Sequence, residues 1–158
     1  MNISALLKDS FITFSALAKK KNLDYKIEFP VNEVYAFADE EALNKIFSNL
    51  INNCIKYAGK KVLIRLWKEN NEQSNFTVEF ENDGTPIPPE MREKIFEPFY
   101  RLKQSIKQQG TGLGLALARS LTELHKGKLY QKNSTEGLNI FILCLPVKPE
   151  QQKRKTKN

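Results

Sequence analysis

The sequence predicts an α+β domain: a two-layer α/β sandwich in which helices cover one face of a mixed, mostly antiparallel sheet. Two observations predict it. Apolar residues recur every three or four positions from Ala42 to Ala58, and a second helical run follows Leu113; around these lie segments with the alternation and the β-branched or aromatic content of strands. Strands and helices mixed in this order suit a sheet with helices packed on one side. At 158 residues and 41% hydrophobic content the chain can bury one core, so one site is expected.

The first helix is predicted from Ile3 to about Lys20, on Ile3, Leu6, Leu7, Phe11, Phe14 and Leu17 at helical spacing. "DYKIEFP" and "VYAFA" read as short strands. Asp39 stands where an N-cap would, with Glu40 and Glu41 in the first turn facing the positive end of the dipole, and the stripe it opens runs to Ala58, with Gly59 as the stop. "KVLIRLW" and "FTVEF" read as strands joined by the loop "ENNEQSN". After "NDGTPIPPE", the segment "EMREKIFEPF" reads as a short helix and "RLKQSIKQQ" as a polar connection. A last helix runs from Leu113 to about Lys126, closed by Gly127, and "GKLYQKN" with "GLNIFILCLP" makes a final hairpin. Trp67, Phe76 and Phe80 are expected in the core rather than on a base-stacking surface.

The net charge of +7 does not point to nucleic acid once it is located. Lys148, Lys153, Arg154, Lys155 and Lys157 stand with a single acid, Glu150, in "KPEQQKRKTKN", a composition that reads as a solvated tail or linker. Cys54 and Cys144 both lie in apolar runs with no second ligand at metal spacing, so both read as buried free thiols of a reducing compartment. No stretch approaches the roughly 20 apolar residues that span a bilayer, and no signal-peptide pattern opens the chain, so this piece is expected to be soluble and cytoplasmic.

"GTGLGLALARS", Gly110 to Ser120, places three glycines two residues apart before a helix. The dinucleotide fingerprint needs its third glycine where Leu115 stands, and the P-loop needs a Lys that does not appear before Lys126. A Gly-rich turn feeding a helix nevertheless offers bare N–H groups to an anion; alone, it is as consistent with a tight turn. On the longer helix, Asn49, Asn52, Asn53 and Lys56 fall at i, i+3, i+4 and i+7. A solvated polar face is one reading. The other is that Asn49 and Asn53 face a hydrated Mg²⁺, with Lys56 as a phosphate partner and Tyr57 as a flat face for a base.

"NKIFSNLINNCIKYA", "ENDGTPIPPE", "IFEPFYR" and "GTGLGL", in that order, resemble the N, G1, F and G2 boxes of the ATP-binding catalytic domain of sensor histidine kinases, from about Tyr35 to Pro146. The resemblance implies the Bergerat-type sandwich shared with gyrase, MutL and heat-shock chaperone ATPases, with residues 1–147 as the catalytic domain and 148–158 as the tail. ATP and Mg²⁺ are the implied cofactors. Asn53 would bind Mg²⁺ and Asn49 support it. Lys56 and Tyr57 would line the triphosphate and the adenine edge, and Arg101 would meet the terminal phosphate. Gly110, Thr111, Gly112, Leu113 and Gly114 would cradle the phosphate chain, while Asn82, Asp83, Gly84, Ile87, Phe99 and Tyr100 complete the site. Asn49, Lys56 and Arg101 are the implied catalytic residues; the lid would run from Tyr100 to Gln109, with Phe96 and Phe99 packed beneath it.

The sequence departs from the family at G1, where D-x-G-x-G is usual: "NDGTPIP" puts Asn82 at the Asp position and Pro86 at the second Gly. Strand parity favours Asn82 over Asp83 as the base-reading residue, because Phe76, Val78, Phe80 and Asn82 share one face. Members that activate water carry a Glu four residues before the metal-binding Asn. Here Asn49 fills that position, and an amide cannot take a proton from water, so phosphoryl transfer is expected over a general ATPase; a nucleotide-free pseudokinase that serves only as an interaction module is the other alternative. The acceptor is expected on a dimerisation hairpin outside this chain, since His125, the lone histidine, sits at a helix end and reads as a structural or surface residue. The implied partners are that hairpin and a response regulator or fused receiver domain, with no nucleic acid and with membrane contact only through missing upstream segments.

Overall fold

The computed structural model describes residues 1–69, 74–100 and 112–148. Among these residues, helices α1 (Ile3–Thr13), α2 (Ser15–Lys20), α3 (Glu40–Tyr57) and α4 (Gly114–Leu124) accompany strands β1 (Asp24–Glu28), β2 (Lys61–Lys68), β3 (Asn75–Asn82), β4 (Lys128–Asn133) and β5 (Asn139–Pro146). The strands form one sheet in the order β1-β2-β3-β5-β4. β1 runs parallel to β2, and every other pairing is antiparallel. The mixed, mostly antiparallel sheet with helices on one face is the predicted architecture.

Register explains the layers. Val62, Ile64 and Leu66 lie opposite Asn82, Phe80 and Val78, which in turn lie opposite Asn139, Phe141 and Leu143, so one sheet face is apolar up to its Asn82–Asn139 end. That face meets α3, whose Ile46, Phe47, Leu50, Ile51, Cys54 and Ile55 are all buried. Asp39 caps α3 as expected, its Oδ1 accepting from Ala42 N–H at 3.0 Å. His125 is structural: Nε2 accepts from Asp39 N–H at 3.3 Å and Nδ1 lies 2.8 Å from Leu121 O, which ties the end of α4 to the start of α3. Asp39 N–H can only donate, so Nδ1 carries the proton.

Several expectations need correction. The first helix is two, broken at Phe14, which adopts φ −94° and ψ 0°. "VYAFA" is not a strand: Tyr35 makes an isolated bridge to Asn2, and the alternation arises because Val34 and Ala36 are buried beside α1. "EMREKIFEPF" forms two 3-10 turns, Pro89–Met91 and Lys94–Phe96, rather than a helix. Gly59 does not close α3 in a left-handed conformation, since Gly112 and Gly137 are the positive-φ glycines among the described residues. Trp67 is half-buried on the helix-free face, and Cys144, on the same face, is only partly covered. Arg65 sits there among Glu28, Glu79 and Glu81 at 3.9, 3.7 and 3.4 Å.

Candidate functional site

α3 presents Asn49, Asn53, Lys56 and Tyr57, all half-buried, beside its core stripe, whereas Asn52 is exposed. The asparagine stripe is thus narrower than its spacing suggested. Lys56 Nζ lies 5.3 Å from the centre of the Tyr57 ring. The last turn of α3 is capped from a distance: Lys21 Nζ donates to the carbonyls of Ile55 and Lys56 at 2.7 and 3.0 Å. A cation on those orphan carbonyls also complements the negative end of the dipole.

Asn82 and Asp83, adjacent at the end of β3, do different things. Asp83 turns to the α3–β2 connection, where its carboxylate accepts from the N–H groups of Gly59, Lys60 and Lys61, each at 2.9 Å. Burial alone would raise its pKa, but these backbone donors outweigh it and hold the carboxyl below its ordinary value. The Asp83 contribution to stability is therefore complete above the ordinary carboxylate pKa of about 4 and is lost as pH falls through that value to the lower folded one. Asp83→Ala should destabilise the chain by about 1–2 kcal/mol at neutral pH, in the range of a lost helix cap. In denaturant titrations the gap to the parent should shrink at pH 3; an equal gap at both pH values would place the cause elsewhere.

Asn82 is 2% exposed and points to the helix-facing side. Its Oδ1 accepts from Gly84 N–H at 3.0 Å, and its Nδ2 faces Cys54 Sγ at 3.8 Å. Asn139, also 2% exposed, was missed by the sequence reading. Its Nδ2 donates to Thr85 O at 3.0 Å and its Oδ1 accepts from Ile87 N–H at 2.9 Å, while Asn133 Nδ2 donates to Ile87 O at 2.8 Å. An amide opening the otherwise apolar strand "NIFILCLP", on the face of Phe141 and Leu143, was the signal that could have found it. Gly84 seals the junction, because a Cβ there would stand 2.1 Å from Tyr57 O.

Phe99 and Tyr100, just before the segment expected as a lid, and Gly112, just after it, lie together. Phe99 N–H donates to Gly112 O at 3.0 Å, and Tyr100 Oη to Met91 Sδ at 3.0 Å. Gly112 has φ +74°, and a Cβ there would lie 3.0 Å from the Phe99 backbone, so glycine is required twice over. Phe99 itself has φ +64° and is 71% exposed, and Phe96 packs edge-on to Phe141 at 6.1 Å; the lid expected to cover both lies outside the described residues. Arg119 of α4 lies over Phe96 at 4.4 Å and pairs with Glu93 at 2.7 Å. At Gly114, where α4 begins, a Cβ would lie 3.1 Å from Asn49 Oδ1, so Leu113 and Gly114 open against the asparagine side of α3. Arg101, Gly110, Thr111 and the lid beyond Tyr100 lie outside the described residues.

These groups suit a nucleoside triphosphate with Mg²⁺. Two half-buried amide oxygens match a hard cation that keeps most of its waters, Lys56 offers a point charge for phosphate, and glycine opens α4 where a side chain would fill the approach. The profile of the histidine kinase-, DNA gyrase B- and HSP90-like ATPases matches residues 38–149. The chain belongs to this ATPase family. Among relatives, the sensor histidine kinase RppB of a Synechocystis species is 36% identical over 149 residues, covering 92% of this chain and 32% of RppB. The sensor protein kinase WalK of Staphylococcus epidermidis is 34% identical over 127 residues, covering 77% of this chain and 21% of WalK. The chain thus spans about a third or less of these relatives. Among solved structures, a nucleotide-free catalytic domain of the histidine kinase ThkA superposes with a TM-score of 0.81 at 32% identity, covering 94% of this chain and 95% of that one. ThkA in complex with the response regulator TrrA gives 0.78 at 28%, covering 96% of this chain and 42% of that one. As a member of the histidine kinase-like ATPases, the chain carries their catalytic-domain fold. No helix among the described residues is long and apolar enough to cross a membrane.

Proposed function

We propose that this chain is the catalytic domain of a two-component sensor histidine kinase, which binds ATP with Mg²⁺ and presents the γ-phosphate to a histidine on a dimerisation hairpin elsewhere in the longer protein. The observation that carries the reading is the meeting of the Asn49–Asn53 side of α3 with the glycine-opened start of α4. Asn53 would hold the metal, Asn49 would orient it, and Lys56 and Arg101 would neutralise phosphate charge. The backbone from Gly110 to Gly114 would take the phosphate chain, with Tyr57, Asn82, Gly84 and Ile87 around the base. When bound, Mg²⁺ stabilises the charge that develops on the phosphate oxygens during transfer. Asn49 lacks a basic atom to deprotonate water, so the site positions a phosphate for a side-chain nucleophile rather than hydrolysing it. A response regulator or fused receiver domain would take the phosphoryl group next, and any membrane anchor would belong to segments outside this chain, leaving the domain on the cytoplasmic side.

Calorimetric titration with ATP, with Mg²⁺ and with a chelator, tests this reading. Metal-dependent binding with little turnover is expected, together with transfer from [γ-³²P]ATP to the separate hairpin. Absence of heat at protein concentrations adequate for sub-millimolar binding would remove the nucleotide reading.

A further inference from the structure

The hydrogen bonds around Asn82 fix which of its two polar atoms is left for a ligand. Gly84 N–H lies 3.0 Å from Oδ1. A backbone N–H can only donate, so the atom facing it must be the carbonyl oxygen, and the amide has one sense. Asn139 is pinned likewise by Ile87 N–H at 2.9 Å, and its Nδ2 then turns to Asn82 Oδ1 at 3.4 Å. Two backbone donors therefore lock two buried amides in series. Asn82 Oδ1 accepts twice, while Nδ2 is left with Cys54 Sγ at 3.8 Å.

That sulfur is a poor partner. Cys54 is fully buried, and burial pushes its thiol up to about 12, so it stays protonated as a weak acceptor. A buried amide donor met only by such a sulfur is under-satisfied, and a ligand oxygen or unprotonated ring nitrogen would complete it. An Asp at this position could only accept, which suits an exocyclic amine and repels a carbonyl oxygen. Asn82, anchored as it is, donates.

Resting on the nucleotide reading above, we propose that this pocket takes 6-oxopurine nucleoside triphosphates to within about tenfold of ATP, because Asn82 keeps its acceptor oxygen on Gly84 N–H and Asn139 Nδ2 and leaves only its amide donor, which meets Cys54 Sγ, for a base. To recover an acceptor for an adenine amino group, Asn82 would have to flip and set its NH₂ against Gly84 N–H and Asn139 Nδ2. Sites that read a polar group through a buried partner discriminate by about 10⁴- to 10⁵-fold, and here the sign of that discrimination is taken away from adenine.

Inosine triphosphate isolates the effect, since it carries the six-carbonyl without the extra amino group of guanine. The chain is titrated calorimetrically with ATP and with ITP in Mg²⁺, alongside Asn82→Asp. Dissociation constants for ITP no more than about tenfold weaker than for ATP, with Asn82→Asp moving the ratio at least about tenfold toward ATP, are expected. A parent that prefers ATP by more than about tenfold, or a folded Asn82→Asp chain with an unmoved ratio, overturns the proposal and leaves the nucleotide reading standing. Binding of neither nucleotide overturns both. Should the variant fail to fold, the parent ratio alone decides.

Discussion

Replacing Asn53 with alanine is expected to abolish Mg²⁺-dependent nucleotide binding while the domain folds as before. Asn53 lies four residues before the end of α3, half-buried and outside the core cluster that Leu50, Ile51, Cys54 and Ile55 form on the neighbouring positions. Its loss removes no core volume, and alanine is the better helix former by several tenths of a kcal/mol, so the melting temperature should hold or rise slightly. What disappears is an amide oxygen beside Asn49 and Lys56. Removing a group that merely orients a metal ligand typically costs 10- to 100-fold in affinity, so removing the proposed ligand itself should weaken binding in Mg²⁺ by about 100-fold or more. In calorimetry the variant should bind ATP equally weakly with Mg²⁺ and with a chelator. A variant that keeps the metal-dependent gain would transfer the ligand role to another group on α3, with Asn49 next in line.

What could be read from the sequence, and what could not, divides along contact range. α3 was legible because its determinants are local: an Asp at the cap, acids in the first turn and a periodic apolar stripe. The face assignment of Asn82 was legible because strand parity needs only one firm strand, and Phe76, Val78 and Phe80 supplied it. The groups that finish the site were not, because they arrive from far along the chain. Lys21 reaches carbonyls 34 and 35 residues away, and Asn139 meets Asn82 across 57. Asp83 stood in the candidate site beside Asn82, yet its carboxylate serves a turn that the sequence could not bring to it. Misread elements have local patterns that tertiary packing overrode. "EMREKIFEPF" carries a helical pattern but follows Pro88 and Pro89, contains Pro98 and breaks into 3-10 turns, and Trp67 alternates as a strand residue does without showing which face the helices cover.

Gly84→Ala should be among the most damaging single-methyl changes in the chain, and the reason is steric rather than conformational, since Gly84 is not among the positive-φ residues. The added Cβ would stand 2.1 Å from Tyr57 O and 3.0 Å from Asn82 Oδ1. Relief requires the end of α3 and the loop after β3 to separate, and three sets of bonds oppose that. Lys21 holds the carbonyls of Ile55 and Lys56 just before Tyr57. Asp83 clasps the N–H groups of Gly59, Lys60 and Lys61 just after it. Asn139 Nδ2 holds Gly84 O and Thr85 O at 3.5 and 3.0 Å from the other side. Overpacking against partners that cannot give way costs about 2–3 kcal/mol, a fall of about 5–10 °C in Tm for a domain of this size. The same displacement would pull Asn82 from Gly84 N–H and widen the junction under the proposed base site, so ATP affinity should fall by about tenfold or more even where the variant is folded. Thermal melts and calorimetry on one preparation separate the two effects. A variant with parental Tm and parental affinity would show that the clasps of Lys21, Asp83 and Asn139 are loose in solution, and the locked sense of Asn82 would go with them.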